Sequence, residues 1–137
     1  MAKYFIDHNL LPRLAHAIRE LCSYDKSSEI YALTDKFSAK AKDVDWITSL
    51  AEEGSWVIIS QDRFKKSNAE KEALRQSGLT VFFLDKQWSK RAYWDKAHNL
   101  VRWWPAIMDH AERMIGGSVF KVRWNHGAVA KFEQVRL

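Results

Sequence analysis

Three aspartates stand where apolar runs meet loops or where a helix begins. Asp7 closes the run "KYFI", Asp62 follows "WVIIS" after one glutamine, and Asp43 opens the segment "DVDWITSLAEE". Carboxylates brought close together repel and raise one another's proton affinity unless a cation neutralises them. All-oxygen ligands of this kind suit Mg²⁺ or Mn²⁺. Each acid also has a plainer reading. Asp43 can cap its helix by accepting a backbone N–H, and Asp7 and Asp62 can simply turn the chain. Asp45, Asp85, Glu52 and Glu53 read as solvated or capping acids, while Glu70, on the helix after Asp62, could still reach a shared site.

Only a scaffold that aims the three acids at one place makes the metal reading work, and the order of elements supplies one. "KYFI" is a short apolar strand. After it, Leu10, Leu11, Leu14, Ala17, Ile18 and Leu21 recur with helical spacing, with Pro12 tolerated in the first turn. "EIYAL" reads as a second strand, and "DKFSAKAK" as a basic loop. A helix then runs from Asp43, with Trp46, Ile47, Leu50 and Ala51 on one face and Gly54 as its stop. "SWVIIS" is a strand, "NAEKEALRQSG" a helix and "LTVFFL" another strand. Apolar strands separated by helices predict a parallel α/β fold with both sheet faces covered. Ligands of such sheets bind at the carboxyl ends of the strands, where Asp7 and Asp62 both fall.

Beyond Asp85 the pattern changes to a long helical stretch, "AYWDKAHNLVRWWPAIMDHAERM", expected to kink or split at Pro105. Gly116 and Gly117 break it. "SVFKVRW" then alternates like an exposed or edge strand, and the tail "HGAVAKFEQVRL" suits a further strand or a docking arm. Trp88, Trp94, Trp103 and Trp104, with Tyr93, can either fill a core or stack on bases. The aromatic helix is also a candidate surface for a homodimer or another partner. No repeat or linker divides the chain, so residues 1–137 are expected to form a single domain.

Composition narrows the classes further. Apolar residues make up 47% and charged residues 28% of 137 residues, the balance of a soluble globular domain. The apolar runs are far shorter than a bilayer span, and "MAKYFIDHN" lacks the apolar region of a signal peptide, so a cytoplasmic protein without a membrane role is expected. The single cysteine, Cys22, reads as a small buried hydrophobe. The net charge of +5 fits an anionic partner. The five histidines, including His8 beside Asp7, show no zinc-ligand spacing, and there is no glycine-rich phosphate loop.

The segments "FIDHNLLPRLAHAI", "LTDKF", "KDVDWITSLAEEGSWVIISQDRF" and "AEKEALRQSGLTVFFL", in that order, resemble the PIN-like domain family, in particular its VapC-toxin-like branch. The pieces that carry the likeness are D-x-N after the first strand, D-x-x-W at a helix start, I-I-S-x-D, and E-x-x-A-L. They fall within residues 1–85, with residues 86–137 as a helical, aromatic-rich extension ending in a strand or tail. The resemblance implies a three-layer α/β/α fold with a central, mainly parallel sheet, and a ribonuclease site that binds Mg²⁺ or Mn²⁺. It assigns the metal and the catalysis to Asp7, Asp43 and Asp62, with Asn9 as a polar helper. Asp45 is the alternative to Asp43, and Glu70 is matched through E-x-x-A-L. The chemistry so implied is metal-assisted hydrolysis of RNA phosphodiesters, in which no protein nucleophile is required. RNA phosphates would meet Arg63, Lys65 and Lys66 after Asp62, and Lys36, Lys40 and Lys42 before Asp43. The same likeness suggests the toxin of a toxin–antitoxin pair, restrained by a protein antitoxin. A non-catalytic nucleic-acid-binding or protein-interaction module with structural acids is the alternative.

Overall fold

In the computed structural model, residues 2–7, 10, 12–61, 68–114 and 116–135 are described. Among the described residues six strands form one sheet: β1 (Ala2–Ile6), β2 (Ser28–Ala32), β3 (Trp56–Ser60), β4 (Thr80–Leu84), β5 (Val119–Val122) and β6 (Glu133–Val135). Their order is β2-β1-β3-β4-β5-β6. The first five run parallel, and β6 closes the edge antiparallel to β5. The helices are α1 (Pro12–Ser23), α2 (Leu33–Lys36), α3 (Asp43–Glu53), α4 (Asn68–Ser77), α5 (Lys86–Ser89) and α6 (Tyr93–Arg113).

Alternation along the strands sorts the core into two layers. Tyr4, Ile6, Val57, Ile59, Phe82 and Leu84 pack with α1 and α6 on one face. Phe5, Ile58 and Val81 pack with Trp46, Ile47 and Leu50 of α3 and Leu74 of α4 on the other. Because β3 and β4 are buried at every position, their sequences are continuous apolar runs rather than alternating ones. The result is the expected three-layer α/β/α arrangement. Among the described residues no helix is long and apolar enough to cross a membrane.

Several local expectations change. The inner stripe of α1 is Leu14, Ala15, Ile18 and Cys22, whereas Leu21 is 55% exposed and Ala17 is also outside. Starting the helix at Pro12 sets its phase so that the spacing of 14, 18 and 22 faces the sheet. Leu11 lies outside the described residues. Part of the "DKFSAKAK" loop is helical, since α2 is closed by the Asp35 carboxylate, which accepts the Ala32 N–H at 2.8 Å. At α5, Asp85 accepts the Gln87 N–H at 3.0 Å. Both helices have four residues, too few to show a period in the sequence.

Helix α6 is not split at Pro105 and continues for 21 residues. Pro105 and Val101, the residue whose carbonyl loses its donor, both lie on the exposed side of the helix, while Trp103, Trp104 and Ile107 are buried. Strand β5 is interior to the sheet because the tail supplies β6 on its far side. The turn that leads into β5 depends on a close approach. A Cβ at Gly116 would lie 2.5 Å from the Gly78 carbonyl oxygen. Glycine alone fits there.

Candidate metal centre

The strand order reverses between β1 and β3: the chain leaves β1 for β2 on one side, then returns to place β3 on the other. In open parallel sheets the crevice outside the carboxyl ends at such a reversal is the usual ligand position. Asp7 occupies it. Its backbone continues the ladder by donating its N–H to the Ile59 carbonyl at 2.9 Å, and its own carbonyl accepts the Leu10 N–H at 3.0 Å. The Asp7 backbone is therefore built into the end of the sheet.

The side chain does something the turn does not require. Asp7 is only 5% exposed, and its Oδ2 accepts the hydroxyl of Ser60, which is fully buried, at 2.9 Å. The bond crosses the reversal from β1 to β3. A buried ionised carboxylate loses several kcal/mol of hydration, and a hydroxyl donor returns about 1.5–3 kcal/mol of that. The alternation that puts Phe5 toward α3 puts Asp7 on the same face, and Ser60 follows Ile58 in the same way.

Helix α3 brings the second acid to that face. It leads through Gly54 directly into the start of β3, so it runs back toward the amino edge of the sheet. Its 11 residues and the five of a strand both span about 16 Å, which puts its first turn near the carboxyl edge. Within that turn the Asp43 Oδ1 accepts the indole N–H of Trp46 at 3.0 Å. Trp46 is fully buried, and its ring packs 4.9 Å from that of Phe5, two residues before Asp7. The D-x-x-W spacing thus has a physical cause: one helical turn aligns a carboxylate with the indole N–H of a buried tryptophan.

Asp43 is not the helix cap. Lys42 holds that position without a side-chain bond, and Asp43 is the first helical residue. Asp45, the alternative, is exposed in the same turn. Asp62, Arg63, Lys65, Lys66, Asn9 and His8 lie outside the described residues, and so does the side chain of Glu70. Among the described residues no three His, Cys, Asp or Glu side chains gather as a metal-binding group. The third acid expected from sequence follows Ser60 by two residues.

The amino-terminal part of the chain, residues 2–86, matches the model of a family described as PIN like domain, which is more than half of its length. The chain belongs to the PIN like domain family. No curated protein and no solved structure matches it. The PIN like match ends just after β4, whereas the sheet goes on through β5 and β6, so residues past the match complete the same sheet.

Two side chains at the carboxyl edge of the sheet were not legible in advance. Ser60 looked like the end of an apolar strand, and only pairing with β1 reveals its bond to Asp7. Asp85 is a capping acid, as expected, but it is not solvated: it is 7% exposed at the carboxyl end of β4. Strands β1 and β4 flank β3, two strand spacings or about 10 Å apart, so Asp85 stands on the far side of β3 from Asp7. A signal existed, since "LTVFFLD" and "KYFID" both close an apolar strand on aspartate.

The basic residues separate too. Lys36 pairs with Glu53 at 3.2 Å and lies over the rings of Tyr31 and Trp56. Lys40 and Lys42 are exposed, Lys42 directly before Asp43.

Proposed function

We propose that this PIN like domain is a Mg²⁺- or Mn²⁺-dependent endoribonuclease, with the metal held by Asp7, Asp43 and Asp62. The observation that carries the reading is the Asp7 carboxylate, buried at the reversal of strand order and braced across it by Ser60. The donors suit the ion: carboxylate oxygens bind hard divalent cations, and a cation offsets the cost of holding a carboxylate in this dry position. Asp43 is favoured over Asp45 as the second acid because Trp46 fixes its orientation while Asp45 faces solvent. Glu70 remains a further candidate ligand.

When bound, the cation supplies a water of lowered pKa and a counter-charge for the phosphate. The chain's own work is to hold the acids. Ser60 keeps the Asp7 carboxylate in one orientation, and Trp46 does the same for Asp43. Lys42, with Arg63, Lys65 and Lys66, is assigned to RNA phosphates, and Asn9 to a supporting contact beside Asp7. We further propose that the protein acts as the toxin of a toxin–antitoxin pair in the cytoplasm, with a protein antitoxin covering the acid crevice. A homodimer is a compatible assembly.

The test is cleavage of single-stranded RNA by purified protein with Mn²⁺, alongside the variants Asp7→Asn and Asp62→Asn. Cleavage by the wild type and its loss by at least about 100-fold in both variants is expected, the scale of losing a group that stabilises the transition state. Expression of the wild type should arrest growth, and Asp62→Asn should relieve the arrest. An uncut substrate, together with unchanged Mn²⁺ binding in Asp62→Asn, would leave a binding module with structural acids.

A further inference from the structure

The tryptophans of the carboxyl-terminal region divide sharply. Trp88, Trp103 and Trp104 are buried, but Trp94 is 79% exposed, and its neighbour Tyr93 is 37% exposed. Their rings contact edge to face at 5.5 Å in the first turn of α6. An indole left in water forgoes the gain of burying a large apolar surface, so an aromatic pair kept outside invites an explanation.

The surroundings of this pair are basic. Lys86, Lys90 and Arg91 are exposed just before it, and Lys96 follows. Over residues 86–97 these four cations face a single carboxylate, Asp95. Arg91 is held in place, its guanidinium 4.5 Å from the ring of Trp124, which packs at 4.8 Å on buried Trp88. Trp88 is itself fixed by donating its indole N–H to the Val122 carbonyl at 3.1 Å. The platform therefore rests on rigid core elements.

Its location links it to the acids. Lys96 Nζ donates to Gln61 Oε1 at 3.4 Å, and Gln61 is the residue between Ser60 and Asp62. Helix α5, which precedes the platform, begins directly after Asp85 at the same carboxyl edge. The first turn of α6 thus reaches the same carboxyl edge as Asp7 and Ser60, from the opposite face of the sheet.

We propose that Tyr93 and Trp94, with Lys86, Lys90 and Arg91, form a stacking platform for single-stranded RNA at the carboxyl edge of the sheet, across that edge from the acids. Exposed aromatic rings offer π-faces to unpaired bases, and interleaved cations follow the phosphates, a combination that favours single strands over duplex. The base stacks on Trp94, and the backbone runs past Lys90 toward the edge at Gln61. The assignment of RNA builds on the ribonuclease reading, while binding at the platform needs no metal.

Fluorescence anisotropy of a short labelled polyuridine in EDTA tests the platform without cleavage. Trp94→Ala should raise Kd about 10-fold, the size of a lost stacking partner, and Trp94→Phe should recover most of that. Lys90→Glu should flatten the dependence of log Kd on log salt, by about 0.7 or more for a lost phosphate contact. Circular dichroism checks that each variant is folded. Unchanged affinity in folded Trp94→Ala overturns the proposal, as does a wild type that binds no RNA. So does a Trp94→Ala variant that changes only oligomeric state, since the rings then serve a second copy of the chain. The two readings fail separately. Trp94-dependent binding with no cleavage in Mn²⁺ keeps the platform and removes the nuclease, whereas cleavage by Trp94→Ala with unaltered KM keeps the nuclease and removes the platform.

Discussion

Replacing Ser60 by alanine isolates the contact on which the candidate site turns. The hydroxyl is fully buried, so alanine removes one oxygen and leaves almost no cavity. What is lost is a 2.9 Å bond to a carboxylate that is itself 5% exposed. Hydrogen bonds to charged groups are worth about 1.5–3 kcal/mol, and solvent has little access here to replace this one. We expect Ser60→Ala to destabilise the fold by about 2 kcal/mol, a roughly 30-fold change in the unfolding equilibrium constant and about 6–10 °C in Tm for a chain of this size. Urea unfolding followed by tryptophan fluorescence, in EDTA, measures it. A double-mutant cycle with Asp7→Ala should return a coupling of at least about 1 kcal/mol, which separates this bond from every other contact the two residues make. The same substitution should weaken Mn²⁺ binding about 10-fold, as the loss of an orienting partner does for metal ligands. A Ser60→Ala protein within about 0.5 kcal/mol of wild type, or a cycle with no coupling, would show that the hydroxyl does not brace Asp7, and the argument for a built site would fail.

Two further outcomes follow from the packing. Gly116→Ala drives a methyl group against the Gly78 carbonyl oxygen, so thermal melts should show a loss of about 1–3 kcal/mol, and a variant as stable as wild type would place the turn elsewhere. His110 gives a pH signature. Its ring packs on Phe120, Phe132 and Phe82, its Nε2 is buried without a hydrogen-bond partner among the described residues, and burial together with nearby Arg113 lowers its pKa against the opposing pull of Asp109. The unfolded chain then binds this proton more readily than the folded one, so the contribution is intact above the ordinary histidine value and is lost as pH falls below it toward the lowered one. His110→Phe should remove that component from urea midpoints measured between neutral and mildly acidic pH, and an unchanged pH profile would contradict the assignment.

The order of strands and helices was readable because each element carries its own period or its own punctuation. β3 and β4 are unbroken apolar runs because both of their faces are covered, and Gly54 ends α3 where the helical spacing stops. The elements that escaped notice are those without internal repetition. α2 and α5 are single turns closed by one carboxylate each. The continuity of α6 through Pro105 was hidden because only packing shows that this residue faces outward.

The same division holds for the site. Sequence alone determined that acids sit at element boundaries in a parallel α/β chain, since boundaries are marked by local residue types. It also offered Asp43 as a cap, a role that only the dihedral angles at Lys42 could reassign. Tertiary structure decided that Asp7 is braced by Ser60, that the indole of Trp46 holds Asp43, and that Trp94 alone of the four tryptophans between residues 88 and 104 is left in water. Those outcomes depend on which strand pairs with which and on which face of a helix meets the sheet. Burial and long-range hydrogen bonds are properties of such pairings, and no stretch of neighbouring residues contains them.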